Sequence, residues 1–220
     1  MPLIMFDMDG TLIDTHGFIS EHMATAFVGH GLPEPTPADV RGIIGLSLHV
    51  AIARLSQSSD AAFVDRLVDS YRTAYREGLE RHSDREPLYP RAREALDRLR
   101  AQPDTLLGVA TGKGLSGLNR ILGNHGLAQY FVTLQTPDHN PSKPDPGMLL
   151  SAMRETGARP EETIMVGDSV FDMELAVNAG CKAIGVTWGY CEPGDLLRSG
   201  AATLIESYDG LDAAVARLLE

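Results

Sequence analysis

Four short, unbroken apolar runs constrain this chain most: residues 3–6 (LIMF), 106–110 (LLGVA), 163–166 (TIMV) and 183–186 (AIGV). A strand exposed on one face alternates apolar with polar residues, whereas a strand covered on both faces does not. These runs therefore predict buried strands of a parallel sheet. Residues 131–135 and 203–205 are weaker strand candidates. Between them, residues 92–99, 117–122, 148–156 and 173–179 repeat apolar side chains at three- and four-residue spacing, as helices do. Strand alternating with helix predicts an α/β fold, an open parallel sheet with flanking helices of Rossmann-like type.

Residues 15–88 break this rhythm. They carry helical patterns at 18–28, 50–55 and 62–79 and no convincing strand. Pro33, Pro35 and Pro37 punctuate the block, and Glu86-Pro87 with Pro90 closes it. The expected organisation is a core domain of residues 1–14 and 89–220 carrying an inserted all-helical cap domain of residues 15–88. A chain of 220 residues is long enough for both.

The formal net charge of −11 argues against general nucleic-acid binding, which needs clustered cations. It also repels anions at long range, so a site handling phosphate needs its own positive charge. Cys181 and Cys191 form no CxxC or Cys/His cluster, so a structural zinc is not expected, and two reduced thiols are. The apolar run at the N-terminus is too short for a signal-peptide core or a membrane span. The expected setting is the cytoplasm, with neither membrane nor nucleic acid as partner; oligomeric state is not legible.

Each strong strand runs into polar residues suited to phosphate chemistry. The first meets Asp7-Met8-Asp9-Gly10-Thr11, the second Thr111-Gly112-Lys113, and the third Asp168, with Asp172 four residues on. Ligands of open α/β sheets bind beyond the carboxyl ends of the strands, so these segments converge on one crevice, with Lys143 as a further donor. Asp7 is placed to attack phosphorus, and Asp9 to protonate the leaving oxygen and then activate water. Thr111 and Lys143 offer a hydroxyl and an ammonium to the phosphoryl oxygens. Several carboxylates in one crevice need a cation, and all-oxygen ligation suits Mg²⁺. The segment GVATGK lacks the glycine spacing of a P-loop.

In these residues the chain resembles the haloacid dehalogenase-like (HAD) hydrolase superfamily. FDMDGTLID at 6–14, VATGK at 109–113, SKPDP at 142–146 and VGDSVFD at 166–172 match its four motifs in order. The resemblance implies a helical cap after the first motif, Asp7 as nucleophile and Mg²⁺ ligand, and Asp9 as general acid/base lending its backbone carbonyl to the metal. It implies phosphate binding by Thr111 and Lys143, ligation by Asp168, and Asp172 closing the metal shell or holding Lys143. Within the superfamily the chain is most similar to phosphoglycolate phosphatases, through FDMDGTLIDT, GLSL at 45–48 and GVTWGY at 185–190. Gly112 departs from the pattern, since many relatives carry Asn there; this loses a side-chain contact and leaves the role of Lys113 open.

The function so implied is Mg²⁺-dependent hydrolysis of a small phosphorylated metabolite through an aspartyl-phosphate. A phosphosugar mutase of the same superfamily is the alternative, although mutases often show Val where this chain has Thr11. A catalytically silent binding module is a further one, and every catalytic position being filled argues against it. A dehalogenase does not need Asp9. His16, His22, His49 and His82 read as solvated or packed, and Trp188 and Tyr190 as packing residues. Specificity is expected on loops near residues 41–48, with Arg41 a lesser candidate for the substrate's remote end.

Overall fold

The computed structural model describes residues 1–82 and 85–220. Strand β1 (Leu3–Phe6) is followed by four helices, α1 (His16–Gly29), α2 (Pro37–Arg41), α3 (Leu48–Ser56) and α4 (Ala61–Arg81). Helix and strand then alternate through α5 (Ala92–Arg100), β2 (Leu106–Ala110), α6 (Leu115–Asn124), β3 (Thr133–Gln135), α7 (Gly147–Thr156) and β4 (Thr163–Gly167). The chain ends with α8 (Val170–Asn178), β5 (Lys182–Val186), α9 (Pro193–Arg198), β6 (Thr203–Ile205) and α10 (Leu211–Leu219). All six strands are parallel, in the order β3-β2-β1-β4-β5-β6. The chain reverses direction of growth at β1, whose Leu3 registers with Leu106 on one side and Thr163 on the other.

The unbroken apolar runs are explained by cover on both faces. Ile4 and Phe6 of β1 point into a cluster with Leu96 and Leu99 of α5, Leu118 and Ile121 of α6 and Leu211 of α10. Leu3 and Met5 point the other way, toward Met148 of α7, Met173 of α8 and Leu196 of α9. The weaker run at 131–135 yields only Thr133–Gln135 as strand. Phe131 instead sets its ring edge-on to Phe6 at 6.5 Å, and Val132 is left exposed.

Helices α1–α4 build a third apolar cluster of their own, joined by Phe171 from α8. Helix α4 starts where the Asp60 carboxylate accepts from the Ala62 and Phe63 amides, relieving two orphan donors. It buries Val64, Leu67, Val68, Tyr71, Tyr75 and Gly78, one face at helical spacing. The chain leaves β1 and returns from α4 side by side. Ile13 bridges Leu88 antiparallel, Asp14 N donates to the Pro87 carbonyl, and Tyr89 N donates to the Leu12 carbonyl. No helix among the described residues is long and apolar enough to cross a membrane.

Leu96 is fully buried in the cluster beneath β1. Leu96→Ala is expected to cost about 2–5 kcal/mol in urea unfolding, from lost transfer energy and the cavity left behind. A cost under about 1 kcal/mol would contradict this account of the core.

Candidate active site

The carboxyl ends of the central strands gather the charged residues. Asp7 follows β1 directly, its amide donating to the Val166 carbonyl of β4 at 3.0 Å, which fixes the strand tip. Thr111 follows β2, with its amide on the Gln135 carbonyl at 3.1 Å. Asp168 follows β4. Asp172 sits in the first turn of α8, where Ser169 Oγ and Asp172 form a reciprocal capping box. Carboxylate oxygens of Asp7, Asp168 and Asp172 lie within 4.8 Å of one another, and all three residues are buried.

Lys143 stands against this group. Its Nζ, fully buried, lies 2.6 Å from Asp172 Oδ1 and 3.1 Å from Asp7 Oδ1. The contact with Asp172 is a hydrogen bond, whereas the one with Asp7 is an ion pair out of hydrogen-bonding alignment, so Asp7 Oδ1 has no hydrogen-bond partner. Burial works against the Lys143 ammonium, yet Asp172 and Asp7 together hold its pKa above the ordinary lysine value. Burial pushes the Asp7 carboxyl up to about 7, with Lys143 opposing and Asp172 and Asp9 adding to the rise. Burial, then Asp172 and Asp7, pushes Asp168 well above the usual carboxylate range. This set fits a small hard divalent cation: three converging carboxylates, only oxygen donors, one ammonium against them, and a buried oxygen lacking a hydrogen bond.

Asp9 is held apart from that group. Thr15 Oγ1 donates to its Oδ1 at 2.6 Å, and Lys113 Nζ lies 3.3 Å away. Lys113 also sits over the Tyr75 ring at 5.4 Å, which places Tyr75 of α4 above the site. Tyr75 in turn donates to Glu86 Oε1 at 2.6 Å, and Glu86 receives both Arg120 Nη1 and Nη2. Burial disfavours the Glu86 anion, but the Arg120 hydrogen bonds and the Lys113 charge hold its pKa below the ordinary value.

The loops themselves are braced. Thr11 Oγ1 donates to Asp168 Oδ1 at 2.9 Å, and Tyr190 N to Asp168 Oδ2 at 3.0 Å. The Thr11 carbonyl receives Trp188 Nε1 and the Tyr208 hydroxyl, and the Tyr190 hydroxyl accepts from Thr15 N. Trp188 and Tyr190 thus do more than fill space. Gly10, with φ +87°, has no Cβ to collide with Asp168 Oδ2, which would otherwise meet one at 2.2 Å.

A cavity of about 690 Å³ opens from Asp7, Asp9, Thr111 and Lys113 toward the underside of α1, α3 and α4. Of the loop predicted to face it, Ile43, Ile44, Gly45, Leu46 and Leu48 do so. Arg41 is exposed at the end of α2 and does not line the cavity. The Gly112 departure has a structural counterpart. A Cβ there would stand 2.3 Å from the Leu46 carbonyl oxygen and 2.7 Å from that of Gly45. The missing side chain is therefore the seat on which the 45–46 backbone rests. Ser47 N ties the same segment to Ser142 Oγ at 2.8 Å.

The sequence and the fold agree with known proteins. The family of haloacid dehalogenase-like hydrolases matches residues 4–186. The chain is 35% identical over 195 residues to a phosphoglycolate phosphatase of Vibrio vulnificus, covering 86% of this chain and 84% of that protein. It is 31% identical over 223 residues to an N-acetylmuramic acid 6-phosphate phosphatase of Pseudomonas aeruginosa, covering 96% and 95%. The crystal structure of a hydrolase from Pseudomonas syringae superposes with a TM-score of 0.85 at 25% identity, covering 99% of each chain. The chain belongs to the haloacid dehalogenase-like hydrolase family.

Two expectations follow from this geometry. A carboxyl group whose folded pKa lies above its ordinary value of 3.8 binds its proton more tightly when folded. Asp7 therefore supports the fold at low pH, and that support is lost as pH rises toward about 7. In urea titrations the EDTA-treated protein should weaken across this window, and Mg²⁺ should flatten the slope; identical profiles would argue against a cation here. Separately, Gly112→Ala overpacks the contact with residues 45–46, which costs about 1–3 kcal/mol. Affinity for a phosphate mimic such as vanadate should fall about tenfold, and unchanged affinity would deny the seat its role.

Proposed function

We propose that this chain is a Mg²⁺-dependent phosphatase that hydrolyses a small-molecule phosphomonoester through a phosphorylated Asp7. The observation that carries the reading is the convergence at the strand ends: Asp7 beside Lys143, with Asp168 and Asp172 buried against both. The relatives are named for phosphoglycolate and for N-acetylmuramic acid 6-phosphate. Both compounds are phosphomonoesters, and that shared class is what carries over to this chain.

In this reading a carboxylate oxygen of Asp7 attacks phosphorus as the bond to the ester oxygen breaks. Asp9, two residues on and lining the same cavity, gives its proton to the departing alkoxide. Asp9 then takes a proton from water as the water oxygen attacks the acyl-phosphate, releasing inorganic phosphate and freeing Asp7. Thr111, through its hydroxyl, and Lys143 hold the phosphoryl oxygens through both steps. Asp172 keeps the Lys143 ammonium beside Asp7. Asp7, Asp168 and the Asp9 backbone carbonyl would hold Mg²⁺, with Asp172 at the edge of the shell; the ion would offset the carboxylate charge and draw electron density from the phosphoryl group. Residues 15–88 serve as a cap domain over the core of residues 1–14 and 89–220, with the paired crossings at 13–14 and 87–88 as its hinge.

Phosphate release from a panel of phosphomonoesters should require Mg²⁺, stop with EDTA, and fall more than about a thousandfold in Asp7→Asn. Circular dichroism should show that variant folded. Turnover persisting in folded Asp7→Asn would remove Asp7 as nucleophile, and product rearranged without phosphate release would turn the reading to a mutase.

A further inference from the structure

The cavity beyond the phosphate end carries a message about the rest of the substrate. Of its charged members away from the catalytic loops, Arg72, Arg76, Glu80 and Asp138 are exposed and so stand at the mouth, and half-buried Arg120 is paired with Glu86. Its interior is different. Ile19, Met23, Ile44 and Tyr71 are buried and line the space, and half-buried Leu48 and Leu79 continue the wall. These side chains come from α1, the 43–48 segment and α4, so three separate elements give the same chemistry to one surface.

The cavity of about 690 Å³ is open to solvent, and water standing against its apolar side gains little. Apolar walls offer water no hydrogen bonds and forfeit their own dispersion contacts. A two-carbon acid bound by its phosphate would reach only the polar end and leave most of the wall unmatched. A ligand that fills the space with carbon recovers both losses, and binding energy gained there can be used at the reacting centre.

We propose that the substrate is a phosphomonoester whose body is bulky and presents an apolar face to Ile19, Met23, Ile44 and Tyr71. This rests on the phosphatase reading above and narrows it: small hydrophilic esters such as phosphoglycolate are poor substrates here. The 43–48 segment, seated on Gly112, sets this preference by bringing Ile44 and Leu48 into the cavity that Asp9 and Thr111 also line.

The test compares esters whose leaving groups are all primary alcohols, so that intrinsic reactivity stays similar. Ethyl phosphate and phosphoglycolate form the small pair, and cyclohexylmethyl and 2-phenylethyl phosphate the large pair, assayed with Mg²⁺. In the wild-type protein kcat/KM for the large pair should exceed that for the small pair by at least about tenfold. The large-to-small ratio should drop about tenfold in Ile44→Asn, which puts a polar group in the wall. Equal rates across the series, or preference for the small pair, would overturn the inference and leave the phosphatase standing. Hydrolysis of none of the four would overturn the phosphatase reading instead. Calorimetry with ethylphosphonate and 2-phenylethylphosphonate then decides the cavity's role: tenfold tighter binding of the larger supports it, and equal affinity overturns it.

Discussion

One buried ammonium holds this site together. Lys143, without access to solvent, stands between Asp7 at the end of β1 and Asp172 at the start of α8. Three carboxylates packed within 4.8 Å repel one another in a medium that solvates none of them well. Lys143 is the protein's own counterweight, and it is incomplete, since one positive charge faces three acids. Removing one partner of such a buried pair typically costs about 3–5 kcal/mol, because the other charge is left uncompensated. Asp172 links this pairing to secondary structure, since its second oxygen closes the capping box that begins α8. The helix start, the 142–146 loop and the strand tip are thus one electrostatic unit.

Around that unit, hydroxyl groups set the direction of each acid. Thr11 aims Asp168, Thr15 aims Asp9 and Ser169 aims Asp172, each at or below 2.9 Å. The Thr11 and Thr15 hydroxyls are held in turn because their loop is pinned by Trp188, Tyr190 and Tyr208. Acids positioned this way spend little freedom when a ligand arrives, which is the condition for precise placement of reacting groups. The family to which the chain belongs is recognised by the acids; their orientation in this protein comes from these neighbours.

Much of this was legible from residues alone because periodicity and strand-end chemistry are local signals. The runs at 3–6, 106–110, 163–166 and 183–186 carried the sheet; Asp7, Lys143, Asp168 and Asp172 came together, with Asp9 and Thr111 on the adjoining cavity, because a parallel sheet aligns its carboxyl ends. What the sequence concealed depends on distant partners. Arg41 is a lesser candidate for the substrate's remote end from its neighbours in sequence, but it stands exposed at the end of α2 while Ile43 and Ile44 face inward. Gly112 read as a loss, since nothing in GVATGK says that the Leu46 carbonyl will sit there. Glu86 read only as the close of a helical block, although it joins Tyr75 to Arg120. Its position beside Pro87 gave no hint of a partner 34 residues further on.

The place of β1 at the centre of the sheet also bears on how the chain reaches its folded state. The first strand made has no neighbour until residue 106, and its second flank stays open until residue 163. Such pairings pay loop-closure entropy before they return any contact energy, and they slow folding. Helices α1, α3 and α4 face no such delay, because their shared cluster draws mostly on residues 18–75. During synthesis the helical segment can therefore condense first, while the strand that will carry Asp7 waits with its apolar edges open. Asp7, the residue proposed as nucleophile, is among the first to be made and among the last to be set in place.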